Sequence, residues 1–249
     1  MQYMRSLQFI QDRKNWIMNV LLVGVCILIP IIGAIVAFGY LFEMIESLLA
    51  DPEHRDYRDF DFNRFTDYLS RGIWPFLARL VVSLAILLPF GIVYMLSFVC
   101  GGMLAKDAPA LFFISVMVGV LIWLVGILAT LAMSLPVTLQ AGLTRGFDLS
   151  QMLSFAKQFV RLVRKELVMT VLFLVGVSLV GAVITVVTCF VGSPFVQAVF
   201  VMCEHHLLFQ LYRLYLERGG SPIAAAVSSP PAATPAPGEA PDERFRAAP

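Results

Sequence analysis

Five apolar runs, at residues 16–42, 80–100, 110–139, 167–191 and 194–203, constrain this chain more than any other feature. A helix rising about 1.5 Å per residue needs roughly 20 apolar residues to cross a hydrocarbon core of about 30 Å. Most of these runs reach that length without alternating with charge. The composition agrees: hydrophobic residues make up 59% of the chain and charged ones 14%, against roughly 45–50% and about 25% in soluble domains. The expected fold is all-α, a multi-pass transmembrane helical bundle. The stretch after Arg5, Arg13 and Lys14 is too long for a signal-peptide core and lacks a small-residue cleavage site, so it reads as a mature segment.

The basic residues orient the spans. Seventeen of the 18 lysines and arginines fall in four regions: the N-terminus, two linkers (Arg55 to Arg79 and Arg145 to Lys165) and the C-terminal end; Lys106 is the exception. If the apolar blocks between them fold as three hairpins, those 17 share one side, which the positive-inside rule assigns to the cytoplasm. The expected location is therefore a bacterial plasma membrane with both termini cytoplasmic. Outer turns are expected at 28–33, 101–109 and 190–194, where Gly and Pro interrupt the apolar sequence. Residues 16–29 reach only about 21 Å as a helix. The first block is therefore a short hairpin, a re-entrant loop, or one kinked span over 16–42. Residues 1–218 form the expected helical domain; the Pro/Ala-rich residues 219–249 lack the apolar surface to offset chain entropy and read as a disordered tail.

The two linkers repeat a pattern at an offset of 87 residues. Phe60-Asp61 and Phe147-Asp148 each place an apolar residue five positions after the Phe, the spacing of an N-capping Asp with a hydrophobic staple. The last charge before the span, Arg79 or Glu166, comes 18 residues after the Asp in both copies. Two cytoplasmic amphipathic linker helices are expected. The second is the sharper: Met152, Phe155, Ala156, Phe159 and Leu162-Val163 fall on one face, Lys157, Arg161, Arg164 and Lys165 on the other. Such a helix suits the headgroup plane, its cations toward anionic lipid. The first copy sets Phe62, Phe65, Tyr68, Leu69 and Ile73 against Arg64, Asp67 and Arg71.

Cys203-Glu204-His205-His206 raises the question of chemistry. Consecutive helical residues point about 100° apart, so four in a row cannot converge on one ion, and no HExxH spacing exists. No metal and no cofactor is expected, and the four cysteines, without CxxC spacing, read as free thiols. Glu204 lies about 15 Å beyond Pro194 on a helix, near mid-bilayer, where a charge is costly and is a functional candidate. The candidate intramembrane polar site is Glu43, Glu204, His205 and His206. In one reading the last three hydrogen-bond to Ser178, Thr185 and Thr188 of neighbouring helices. In the other, Glu204 and Glu43 form a proton- or ion-coupled site, with helix breaks at Pro30-Gly33 and Pro89-Phe90-Gly91.

Asp12…Trp16, IPIIG…GY at 29–40, the Phe-Asp start of the first linker followed by Gly72, PVTLQAGLTRGFDLS at 136–150 and His206…Gln210-Leu211-Tyr212 resemble domain-of-unknown-function family 4013 over roughly residues 8–217. The resemblance implies a polytopic prokaryotic membrane protein without an established activity. Tyr57-Arg58-Asp59 departs from the Leu-Pro-Trp type of sequence of that family's linker.

No nucleophile-base pair, phosphate loop or paired carboxylates on a soluble face point to an enzyme, and no basic-aromatic surface points to nucleic acid. The expectation is a non-enzymatic membrane protein that binds or organises anionic lipid or partner membrane proteins. The alternative is a small ion- or proton-coupled transporter or channel.

Overall fold

The computed structural model describes residues 1–51, 57–104 and 108–224. Arg55 of the first linker, residues 105–107 of the second expected turn and residues 225–249 of the expected tail lie outside the described residues. Among those described there are seven α-helices and no strand: α1 (Tyr3–Gln11), α2 (Trp16–Leu28), α3 (Ile32–Ala50), α4 (Phe65–Leu104), α5 (Pro109–Thr144), α6 (Leu149–Val187) and α7 (Ser193–Glu217). They pair in sequence as α2–α3, α4–α5 and α6–α7, the three expected hairpins. The first hairpin turns at residues 29–31, so residues 16–42 are not one kinked span.

Four helices, α3 to α6, are long and apolar enough to cross a membrane. The other two segments of the hairpins differ for separate reasons. With 13 residues, α2 extends only about 20 Å. With 25 residues α7 has the length, but it carries Glu204, His205, His206, Arg213 and Glu217. It tolerates the first three because that part of it lies inside the bundle: Cys203 to Phe209 are all buried, so every face of that stretch meets protein, while Arg213 and Glu217 are exposed near its end. Helix α3 is its counterpart, buried continuously from Gly39 to Ile45.

Backbone contact between α3 and α4 depends on two glycines. A Cβ added at Gly39 would overlap the Tyr68 carbonyl, and one at Gly72 would overlap the Ile35 carbonyl. Small residues at a crossing let helices approach closely where hydrocarbon supplies no hydrophobic drive between them. The next residue, Tyr40, packs its ring edge-on against Phe60 and Tyr68. In the α4–α5 hairpin small again meets large: Gly91 faces Trp123, and Gly126 faces Phe90. The outward faces of that hairpin, including Leu88, Ile92, Met95, Leu121 and Leu124, are exposed, as hydrocarbon-facing surface is.

Both expected caps are present. Asp61 accepts from the Asn63 N–H at 2.9 Å, and Asp148 accepts from the N–H groups of Ser150 and Gln151 at 2.9 and 3.1 Å. The first linker helix is not a separate element, which corrects the sequence reading, whereas a kink sets the second off from its span. In the first copy a 3-10 turn (Phe62–Arg64) runs directly into the 40-residue α4, through Pro75 and Pro89. The expected break at Pro89-Phe90-Gly91 is therefore absent; membrane helices tolerate an internal Pro when local adjustment satisfies the freed carbonyl. In the second copy α6 is bent at Val163 (φ −123°, ψ 24°). There the Arg218 guanidinium donates to the Leu162 carbonyl at 2.7 Å. A side chain inserted into the helical hydrogen-bond ladder is an ordinary cause of a kink.

Candidate functional site

The basic end of the bundle is built outward from α3. Its last turns present Glu43 and Glu46, and α4 crosses at Gly72 with Arg71 beside them. Glu43 Oε1 pairs with Arg64 and, at 3.4 Å, with Arg58; its Oε2 lies 3.4 Å from Arg71. Arg71 also pairs with Glu46, which Arg145 approaches at 3.5 Å from the end of α5. Arg145 adopts a left-handed conformation (φ 50°, ψ 40°), turning the chain out of the helix. Of the apolar face expected for the first linker, Tyr68 is buried while Phe62 and Ile73 are exposed, and Arg71, expected on the solvent side, is nearly buried. The α3 carboxylates pull that face round.

The segment before it is held by α2 and its approach. Asn19 donates to Asp59 and accepts the Phe60 N–H at 2.9 and 3.0 Å, Asn15 donates to Asp59 at 2.9 Å, and Arg13 bonds the Tyr57 carbonyl. The Asn19 hydrogen bond holds the Asp59 carboxyl below its usual range, and burial pushes the Tyr57 phenol up to about 12.

The cluster on α7 fans out instead of converging. Glu204, 2% exposed, accepts from Arg79 at 2.9 Å, and the Arg79 guanidinium lies over the Phe38 ring at 5.6 Å. His205 bonds the Val201 carbonyl through Nδ1 at 2.7 Å and packs edge-on against Phe38 and Phe42. His206 stacks on Phe9 at 4.2 Å and meets the Ser6 hydroxyl at 2.9 Å. Among the described residues no group of three or more His, Cys, Asp and Glu could hold a metal ion, and the cysteines are free.

The expected partners of this cluster are therefore corrected. Ser178 and Thr188 bond carbonyls of their own helix, those of Val175 and Ile184, at 2.8 and 2.9 Å. Glu43 and Glu204 do not form one site, because each has its own arginines. Arg79 and Ser6 are the residues the sequence reading missed. Arg79 was visible as the last charge before its span, but a cation there can equally reach the interface, so its partner was not. Helix α1, which supplies Ser6 and Phe9, did carry a signal, in the three- and four-residue spacing of Tyr3, Leu7 and Ile10.

The second linker helix has the face its periodicity predicts. Met152, Phe155, Ala156, Phe159 and Val163 are buried, and Lys157, Arg161, Arg164 and Lys165 are exposed along the opposite side. No ion pair or hydrogen bond from the described residues reaches those four cations. The only acidic residue close in sequence, Glu166, is taken by Arg218 through bonds of 2.9 and 2.5 Å.

Residues 22–190 match the family described as protein of unknown function DUF4013. The chain belongs to this family. The match omits the expected Asp12…Trp16 and His206…Tyr212 motifs, which flank it on either side. It does include Gly39 and Gly72 at the α3–α4 crossing, Glu43 with Arg64 and Arg71, and the Asp148 cap. No curated protein and no solved structure matches the chain.

Proposed function

We propose that this member of the family is a non-enzymatic protein of a bacterial plasma membrane, its basic end cytoplasmic, that binds anionic lipid headgroups through the first part of α6. One observation carries the reading: four cations lie exposed on one helix face, with no partner among the described residues, directly opposite the face that anchors the helix to the bundle. Each cation near an anionic surface contributes about 1 kcal/mol, decaying within a Debye length, so four together favour anionic lipid by a few kcal/mol.

The alternative, a small ion- or proton-coupled transporter or channel, draws on the buried Glu204 Oε2 and His205 Nε2, which have no hydrogen-bond partner among the described residues. It requires Glu204 to change charge, whereas Glu204 is engaged by Arg79 at 2.9 Å. Flux in proteoliposomes that disappears with Glu204→Gln would favour it.

The test of the preferred reading uses the full chain in nanodiscs with spin-labelled lipids. Motionally restricted lipid around the protein should be enriched in the anionic species. Enrichment should fall with salt and vanish in Lys157→Gln/Arg161→Gln/Arg164→Gln/Lys165→Gln. Equal enrichment in that variant would refute headgroup binding at this face. An impermeant thiol reagent added outside cells should label a cysteine at Ser193 and spare one at Ser154; the reverse would overturn the orientation.

A further inference from the structure

The apolar surface that the protein turns toward hydrocarbon is uneven in height. Exposed apolar side chains run from Val168 to Val187 on α6, about 29 Å along the axis, and from Leu80 to Met103 on α4, about 35 Å. Both suit a hydrocarbon core of about 30 Å. On α2 the exposed stripe is Ile17, Met18, Leu21, Val25 and Leu28, only about 17 Å from end to end. Lys14 and Asn15, directly before it, are exposed and polar.

The height is lost at the basic end. A Cβ on Gly24 of α2 would stand 3.3 Å from the Pro194 carbonyl at the start of α7, and residues 188–192 join α7 to the end of α6. The outer ends of α2 and α6 are therefore level to within about a helical turn. From Gly24 the apolar stripe of α2 continues toward the basic end for only about 10 Å, to Ile17, whereas that of α6 continues to Val168.

The turn beyond Leu28 closes the stripe on the other side. Ile29, Ile31 and Ile32 are exposed there, and the backbone pairs with itself: the N–H groups of Ile29, Ile32 and Gly33 donate to the carbonyls of Cys26, Pro30 and Ile29 at 3.0, 2.7 and 3.1 Å. Such pairing suits a turn at the edge of hydrocarbon, where unsatisfied backbone groups are costly. With this turn included, the apolar height at α2 is about 20 Å.

The foot of α2 is fixed. Asn15 and Asn19 each donate to Asp59 at 2.9 Å, the Arg13 guanidinium lies 3.7 Å from the same carboxylate, and Arg58 beside them is largely exposed. Sinking these polar and charged groups into hydrocarbon is costly, whereas a bilayer thins beside a short apolar segment at modest cost. Tilting would shorten α2 further. The bilayer is the partner that gives way.

We propose that the bilayer beside α2 is pinched to a hydrocarbon thickness of about 20 Å, with headgroups of the basic-side leaflet drawn up to Lys14, Asn15, Arg58 and Asp59. The occupant of this face is phospholipid with short or loosely packed acyl chains. The inference goes beyond the headgroup reading and does not rest on it, since it draws on none of the α6 cations.

Spin labelling in nanodiscs of neutral lipid tests it, because neutral headgroups give the α6 cations no part in the result. On a chain whose four cysteines are replaced by Ala, single labels are placed on α2 (Asn15→Cys, Met18→Cys, Leu21→Cys, Val25→Cys, Leu28→Cys) and on α6 (Val168→Cys, Leu172→Cys, Leu179→Cys, Val183→Cys, Val187→Cys). All these positions are exposed, so the labels leave the packing undisturbed. Depth is read from collisions with oxygen and with a water-soluble nickel chelate. Along α6 it should reach about 15 Å, half the hydrocarbon core. Along α2 it should peak near Leu21 at about 10 Å, half the pinched thickness, and return to the interface at both Asn15→Cys and Leu28→Cys. An Asn15→Cys label lying in hydrocarbon would overturn the proposal. So would a depth that keeps rising through Leu28→Cys to Ile31→Cys, which marks a hairpin ending inside the core. Labels on α2 shielded from both reagents would also overturn it, by showing that protein and not lipid covers this face.

Discussion

The two copies of the repeat begin alike and end in opposite electrostatic states. Asp61 and Asp148 cap their helices through the same kind of bond, and 18 residues later each copy pairs with α7. The polarity of that pair is reversed: Arg79 of the first copy reaches Glu204 inside α7, whereas Glu166 of the second receives Arg218 just beyond its end. The arginines of the first copy are neutralised by Glu43 and Glu46, because α3 crosses α4 at Gly39 and Gly72 and brings its carboxylates alongside. Among the described residues no acidic side chain pairs with the cations of the second copy. Similar linker sequences thus become a structural joint in one place and an exposed cationic surface in the other, and what decides is the neighbour each copy acquires on folding.

If that contrast is right, charge removal should be costly in the first copy and nearly silent in the second. The largest effect is expected for Glu43→Ala, which strands Arg64 and the nearly buried Arg71. Breaking a buried pair from one side costs about 3–5 kcal/mol, and the lower end applies because Arg64 is 28% exposed. Unfolding in mixed micelles by a denaturing detergent measures it; a loss under 1 kcal/mol would break the comparison.

A smaller loss is expected for Glu204→Gln. From the sequence alone this change looks mild, since the amide keeps its hydrogen-bonding capacity. With Arg79 opposite, it leaves a cation facing a neutral group, at about 2 kcal/mol, the scale of a hydrogen bond to a charged group. The double variant Arg79→Met/Glu204→Leu should be more stable than Glu204→Gln, because an apolar pair has no desolvation to offset. A double variant less stable than the single would show that the pair does more than neutralise itself. The smallest effect belongs to the second copy: replacing Lys157, Arg161, Arg164 and Lys165 together by Gln should shift the melting temperature in neutral detergent by no more than a degree or two, since exposed substitutions usually stay within about 0.5 kcal/mol.

What was legible in the sequence was mostly local. The hairpins followed from run length and from Gly and Pro at the turns, and the buried face of α6 followed from the spacing of Met152, Phe155 and Phe159. Both caps were visible as Phe-Asp pairs. The partners were not legible, because Arg79 and Glu204 are 125 residues apart and meet only once α4 and α7 are placed. The same holds for Ser6 and His206, 200 residues apart. Linker and span merge in α4 although Pro75 and Pro89 lie within it, because a membrane helix can satisfy the freed carbonyls by local adjustment. In α6 the bend at Val163 depends on Arg218, which no local pattern announces.

The most direct test of the central claim is the rise in melting temperature of the full chain when neutral nanodisc lipid is replaced by anionic lipid at low salt. A ligand that binds only the native state stabilises it by mass action. The wild type should gain several degrees and lose most of that gain in high salt. Glu43→Ala, though less stable throughout, should gain as much, and the second-copy quadruple Gln variant should gain little. An undiminished gain in the quadruple variant, or one abolished by Glu43→Ala, would contradict the assignment of lipid binding to the exposed cations of α6.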